Sequence, residues 1–329
     1  MISLTLAAVL GQSQPGLVFS GKDGPGQGRH IVLLAGDEEY RSEEALPQLA
    51  QILSERHGFT CTVLFSMNEK GEVDPTAVKN QPGLEVLKKA DLVVMMLRFR
   101  EWPDQDMKLF SDYWQSGKPI VAIRTSTHAF NFPGESTSPF RRFSWASREW
   151  QGGFGKQVLG ETWISHWGNH GTQATRGIPE PINAAHPLLL GVKDVFGPTD
   201  VYEAYPPADA KILMRGEVVE GMKPTDPAAS YTKKRVDGGS QDINSPRMPI
   251  VWLREVDGAR VFTTTLGTSE ELLNEGFRRL MVNSVYWGLK MESSISPTSN
   301  VDLVGSYKPS PFGFGTYRKG AKPADFVSR

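Results

Sequence analysis

The chain has 329 residues, 39% hydrophobic and 22% charged, enough to bury a full core in one large domain with extensions or two small ones. Thirty-six Lys and Arg against 37 Asp and Glu leave a formal charge of -1, which excludes an overall field drawing the protein to nucleic acid or an anionic membrane. The single cysteine excludes an intramolecular disulfide and a multi-cysteine metal site, and reads as core filler.

Along the chain, Ile2 to Leu10 is a short apolar segment followed by small and polar residues, similar to the later part of a secretory signal. The first basic residue is Lys22, so the basic region of such a signal is missing. The segment points to a periplasmic or secreted protein, with a cytoplasmic one as the alternative. No run reaches the roughly 18 apolar residues of a spanning helix, so no membrane span is expected. GKDGPGQG, 21–28, reads as a flexible linker. Residues 1–28 are thus expected to be signal remnant and linker, 29–291 the domain proper, and 292–329 an irregular tail.

From Arg29 strands and helices alternate. Strands are predicted at His30 to Ala35, Thr60 to Phe65, Asp91 to Leu97 and Pro119 to Ile123, with helices at Glu43 to Arg56, Leu84 to Lys89 and Asp104 to Ser116. Their unbroken apolar runs predict strands covered on both faces, hence an α/β fold with a mostly parallel sheet and helices on both sides. Beyond Phe130 the pattern loosens, then Pro249 to Glu255 and Ala259 to Leu266 predict a hairpin about Asp257-Gly258. A final helix is predicted from Glu270 to about Leu289. The tail, rich in Gly and Pro, either wraps the domain through Tyr307, Phe312, Phe314 and Tyr317 or lacks fixed structure.

Polar residues cluster where predicted strands end, the place where open α/β sheets collect ligands. The first strand runs into Asp37, Glu38, Glu39, Tyr40 and Arg41, the third into Arg98, Arg100 and Glu101, and the fourth into Arg124, Thr125, Ser126, Thr127 and His128. The acids after Asp37 also suit a helix N-terminus, and the arginines could simply pair with them. The segment 160–171, GETWISHWGNHG, adds Glu161, Trp163, His166, Trp167 and His170. The i, i+4 spacing of His166 and His170 is that of zinc-binding helices, but Gly168 and Gly171 favour a loop and no HExxH pattern is present. A divalent metal site, a polar catalytic or sugar-binding role and structural hydrogen bonding all remain open for the two histidines. Trp145, Trp150, Trp163 and Trp167 offer flat surfaces for stacking on a sugar ring, or ordinary packing.

Several segments resemble the ThuA-like, trehalose-utilisation family: the Gly36-Asp37 strand end, GKPIVAIRTSTHAF, AAHPLLLGVKDVF followed by TDVYEAY, and MPIVWLREVDGARVFTTTLGTSEELLNEGFRRLMVNSVYWGL, spanning about 29–290. The resemblance implies a flavodoxin-like fold of the class I glutamine amidotransferase kind and a role with sugars or glycosides, including oxidised disaccharides. Arg124 stands where amidotransferases carry a nucleophilic cysteine and many ThuA-like proteins a histidine. Guanidinium neither attacks a carbonyl nor accepts a proton, so glutaminase activity is not expected. The expected site has Asp37, His128, Glu161, His166 and His170 in acid/base roles. Glu38, Arg98, Arg124, Thr125, Trp163 and Trp167 are expected to bind a small sugar or glycoside, with no cofactor assigned. A non-catalytic sugar-binding or scaffold protein and a metal-dependent hydrolase are the alternatives; the sequence gives no oligomeric state.

Overall fold

The computed structural model describes residues 16–328; the signal-like stretch Ile2 to Leu10 lies outside the described residues. Twelve strands are described: β1 (Gly16–Phe19), β2 (His30–Gly36), β3 (Thr60–Phe65), β4 (Leu92–Leu97), β5 (Ile120–Ile123), β6 (Thr175–Pro179), β7 (Phe196–Gly197), β8 (Lys211–Val218), β9 (Thr232–Lys234), β10 (Ser240–Asp242), β11 (Met248–Val256) and β12 (Ala259–Thr264). Three α-helices accompany them: α1 (Ser42–His57), α2 (Asp104–Gln115) and α3 (Glu275–Gly288).

Ten strands form one sheet in the order β1-β3-β2-β4-β5-β12-β11-β8-β6-β7, while β9 and β10 make a separate hairpin. The central strands β3, β2, β4, β5 and β12 are mutually parallel, the doubly wound flavodoxin-like order. On either side the sheet continues with antiparallel partners, β1 on β3 and β11, β8, β6 and β7 beyond β12.

Alternate residues of each parallel strand face opposite cores. Ile31, Leu33 and Ala35 of β2, with Leu92, Val94 and Met96 of β4, pack with Leu46, Leu49 and Leu53 of α1 and Leu280 and Val285 of α3. Val32 and Leu34, with Val93, Met95 and Leu97, pack with Met107, Phe110 and Trp114 of α2. Every residue of β4 is buried, so the unbroken apolar runs do mark strands covered on both sides. The predicted hairpin forms as β11 and β12, joined at Asp257 (φ 49°) and Gly258 (φ 84°), both in the left-handed region that a two-residue hairpin turn demands.

Two boundaries differ from expectation. The last helix begins at Glu275, because Asn274 (φ -81°, ψ 121°) breaks the backbone and its side chain caps the N–H of Phe277; residues 269–273 form a separate 3₁₀ turn. Residues 21–28, read as a linker, are instead packed against the end of α1: the N–H groups of Lys22 and Gly26 donate to the carbonyls of Ser54 and His57. Gly26 is buried against the ring of Phe59 so closely that a Cβ would lie 2.5 Å from it. Among the described residues no helix is long and apolar enough to cross a membrane.

Candidate functional site

The ends of β2 and β4 flank the point where successive connections turn to opposite sides of the sheet, and β5 lies beside them. Three non-glycine residues within five positions of these ends sit in the left-handed region: Arg41 (φ 59°), Phe99 (φ 54°) and Arg124 (φ 49°). Left-handed backbone is costly for bulky residues and persists where surrounding contacts over-determine it, which is characteristic of functional sites.

After β2, the Asp37 carboxylate organises a tight turn. Its Oδ1 accepts the N–H groups of Glu39 (2.7 Å) and Tyr40 (2.8 Å), and its Oδ2 accepts the hydroxyl of Thr125. Burial, helped by the nearby charge of Glu38, raises the Asp37 carboxyl to about 6 against these stabilising bonds. Glu38 pairs with Arg98, and the Arg98 guanidinium stands over the rings of Phe99 (4.5 Å to its centroid) and Phe314 (4.9 Å).

Arg124 follows β5 and is fully buried. Its guanidinium stands over the rings of Tyr40 (4.4 Å) and Tyr202 (4.0 Å) and donates to the Asp200 carboxylate (3.0 Å), the carbonyls of Asp200 (2.8 Å) and Thr265 (2.6 Å), and the Tyr40 hydroxyl (3.0 Å). The sequence placed Arg124 against substrate; its buried fork is engaged instead with Asp200 and the site's frame. Gly267 (φ 139°) permits this junction, since a Cβ there would lie 1.8 Å from Ile123 Cγ2.

Asp200 joins Arg124 to the histidine loop. Its Oδ2 lies 2.8 Å from His166 Nδ1 and its Oδ1 3.0 Å from His170 Nδ1; the Nε2 of His170 lies 3.1 Å from Glu39 Oε1. The backbone explains the convergence. Trp167 N–H donates to Val201 O (2.7 Å), Glu203 N–H donates to Ser165 O (2.9 Å), and at Gly168 a Cβ would stand only 3.3 Å from the Asp200 Cβ. The histidines therefore meet on a loop, as Gly168 and Gly171 indicated, with ring centroids 4.6 Å apart.

Charges in this cluster are mutually adjusted. Burial by itself would raise the Asp200 carboxyl, but Arg124 and the two imidazoles outweigh it and hold the group well below the usual carboxylate range. Bonds to Asp200 and then Glu39 push His170 up to about 9 despite partial burial. His128 lies opposite, beside Phe99, Trp163 and Tyr202; burial, reinforced by the positive charges of Arg98 and Arg124, holds its imidazole well below the ordinary range.

Two residues anticipated from the sequence stand apart. Glu161 is buried, with its carboxylate bound to Lys156 Nζ (2.8 and 2.9 Å) and to the N–H groups of Thr162 (2.9 Å) and Tyr205 (2.7 Å); no bond joins it to the histidines. Trp167 is fully buried with its indole N–H on Ile243 O, so it has no free face for a ligand. Trp150 packs on Trp114 and Phe143. Trp163 does stand at the site, stacked on Tyr202 (5.7 Å) and edge-on to His166 (5.0 Å).

Sequence reasoning did not single out Asp200, Tyr202, Phe99 or a role for Phe312 here. Asp200 and Tyr202 lay in the quoted TDVYEAY segment, where an acid and an aromatic precede no predicted strand end and so carried no positional signal.

This geometry belongs to a doubly wound α/β protein with a histidine-carboxylate cluster over the carboxyl edge of its parallel strands. Residues 31–288 match the ThuA family, described as trehalose utilisation, and the chain belongs to that family. The membership ties it in general terms to carbohydrate use. The fold is similar to that of a putative ThuA-like protein from Parabacteroides merdae ATCC 43184 (17% identity, TM-score 0.51, 89% of this chain and 99% of that one). A putative ThuA-like protein from Bacteroides uniformis ATCC 8492 also matches (14% identity, TM-score 0.49, 85% and 98%). No curated protein matches the chain.

Proposed function

We propose that the chain is a carbohydrate-active enzyme whose acid/base centre is His166 braced by Asp200. One observation carries the reading: His166 Nδ1 lies 2.8 Å from the Asp200 carboxylate, while its Nε2 has no hydrogen bond among the described residues and the side chain is 39% exposed. A carboxylate on Nδ1 selects the tautomer protonated there and leaves the Nε2 lone pair to take a proton. His170, whose ring lies 4.6 Å from that of His166 and carries a carboxylate at each nitrogen, places a cationic imidazole next to the proposed base. Trp163 offers the apolar face of a sugar a stacking surface.

The family's description supports a sugar or glycoside as substrate, and the chemistry in reach is proton transfer during isomerisation, elimination or hydrolysis. Arg124 at the β5 end, buried and engaged, supports a protein that is not a glutaminase. The test is turnover of a panel of disaccharides and 3-keto-glycosides by the full chain. His166→Ala is expected to lower it by at least about 100-fold. Equal turnover by a folded His166→Ala variant overturns the assignment.

A second reading is favoured by the same cluster: His166, His170 and Asp200 each offer a ligand atom, all within 4.8 Å of one another. Two imidazoles and a carboxylate suit zinc or another first-row divalent ion, and Glu39 on the far nitrogen of His170 would orient that ligand. A bound ion would supply Lewis-acid polarisation of a sugar oxygen. Elemental analysis of protein purified without chelator or metal-affinity tag separates the readings: one equivalent of metal supports the second, and a content near zero disposes of it.

A further inference from the structure

The family match ends at residue 288, yet the chain after it returns to the site. Tyr307 donates its hydroxyl to Ser269 O (2.9 Å), Ser310 N–H donates to Glu44 (2.6 Å) and Phe312 N–H to Glu270 (3.2 Å). Gly313 N–H then donates to Glu39 O (2.8 Å), and the Arg41 guanidinium donates to Gly313 O (2.6 Å) and to Thr316. The segment is thus stitched to the same turn that carries Asp37 through Arg41.

Its two aromatic side chains serve different ends. Phe312 is part-buried, stacked on Tyr40 (5.5 Å) and packed beside His170 (5.6 Å). Phe314 is 56% exposed although it is a large apolar residue, and its ring centroid lies 4.9 Å from the Arg98 guanidinium, which also stands 4.5 Å from the Phe99 ring. Packing accounts for Phe312. It leaves most of Phe314 uncovered, beside an arginine whose charge is already matched by Glu38.

We propose that Phe314 is a specificity-determining residue: the strap from Ser310 to Thr316 forms a fixed wall of the site, and Phe314 presents a stacking face for a pyranose ring whose hydroxyls reach Arg98 and Glu38. An aromatic face takes the C–H side of a sugar, and an ion pair beside it offers both donor and acceptor to ring hydroxyls. Phe312 is a positioning residue that holds the strap against Tyr40 and His170. The inference rests on the carbohydrate reading above and adds to the proposed site a binding element from outside the residues that match the family.

The test measures binding of trehalose and of glucose to the full chain by calorimetry, for the parent, Phe314→Ala, Phe314→Leu and Phe314→Trp. Removing one stacking face is expected to weaken binding of at least one probe roughly 3- to 10-fold in Phe314→Ala and Phe314→Leu, with Phe314→Trp close to the parent. On any substrate turned over, the loss should appear in KM with kcat nearly unchanged. Because the side chain is mostly exposed, the fold should survive all three changes, which circular dichroism verifies. Parent-like binding by Phe314→Ala overturns this inference alone, and a leucine that restores binding as well as tryptophan overturns the stacking role. If the parent binds neither sugar nor turns over any member of the panel, the carbohydrate reading and this inference fall together.

Discussion

Asp200 keeps a carboxylate out of water by surrounding it with Arg124 and two imidazoles. Asp200→Asn removes the charge that matches a fully buried guanidinium, and breaking one side of such a pair is expected to cost about 3–5 kcal/mol, measured by urea unfolding. His170 gives a readout in solution. In chelator-treated protein its ring should titrate near 9 by NMR, because both nitrogens donate to carboxylates. Its favourable contribution is therefore complete below its ordinary value of 6.5 and lost as pH rises through about 9. Glu43 acts in the same direction, from a different cause. Its buried carboxyl has no hydrogen-bond partner among the described residues, and burial raises it to about 8. Between about 4.5 and 8 the folded chain holds a proton that the unfolded chain has released, so stability falls as pH rises through that window. Glu43→Gln should flatten that part of the profile in thermal melts at a series of pH values.

At the scale of elements, the site depends on how strand ends are held rather than on the strands themselves. The β12 end reaches the β5 end only because Gly267 adopts φ 139° and leaves room for Ile123. Gly267→Ala forces both a disfavoured backbone and an overlap, and is expected to destabilise by about 1–3 kcal/mol. It should also weaken the Arg124 to Asp200 contact, since Arg124 N–H donates to Leu266 O one residue away. A lower denaturant midpoint together with a shifted His166 NMR signal is the expected pair of observations. The loop carrying His166 and His170 has no regular secondary structure of its own; its bonds to 201 and 203 fix it, so changes there propagate directly to the imidazoles.

For the whole molecule, the sheet and its two cores set a platform, and the C-terminal strap completes one side of it. Ending the chain at Gly305 would uncover α1 and strip the part-buried anchors Tyr307, Phe312 and Phe326 from the larger core. At about 1 kcal/mol or more each for partial burial, their loss is expected to lower stability by roughly 3 kcal/mol or more and to expose apolar surface to a fluorescent dye.

The strands β2 to β5, the β11–β12 hairpin and helices α1 and α2 were legible from apolar runs and turn residues, because burial on both faces of a parallel sheet leaves a local mark in composition. The clustering of Asp37, Glu38, Arg98 and Thr125 at strand ends was legible for the same reason, as was the loop character of His166 and His170 from their glycines. Tertiary structure alone decided the rest. Asp200 meets the histidines through backbone bonds between segments some thirty residues apart, Glu161 turns to Lys156, Trp167 enters the core, and Phe314 returns from beyond the matched domain. Local pattern reports whether a residue is buried in its own element; which distant side chain it then faces is set by the packing of the whole chain.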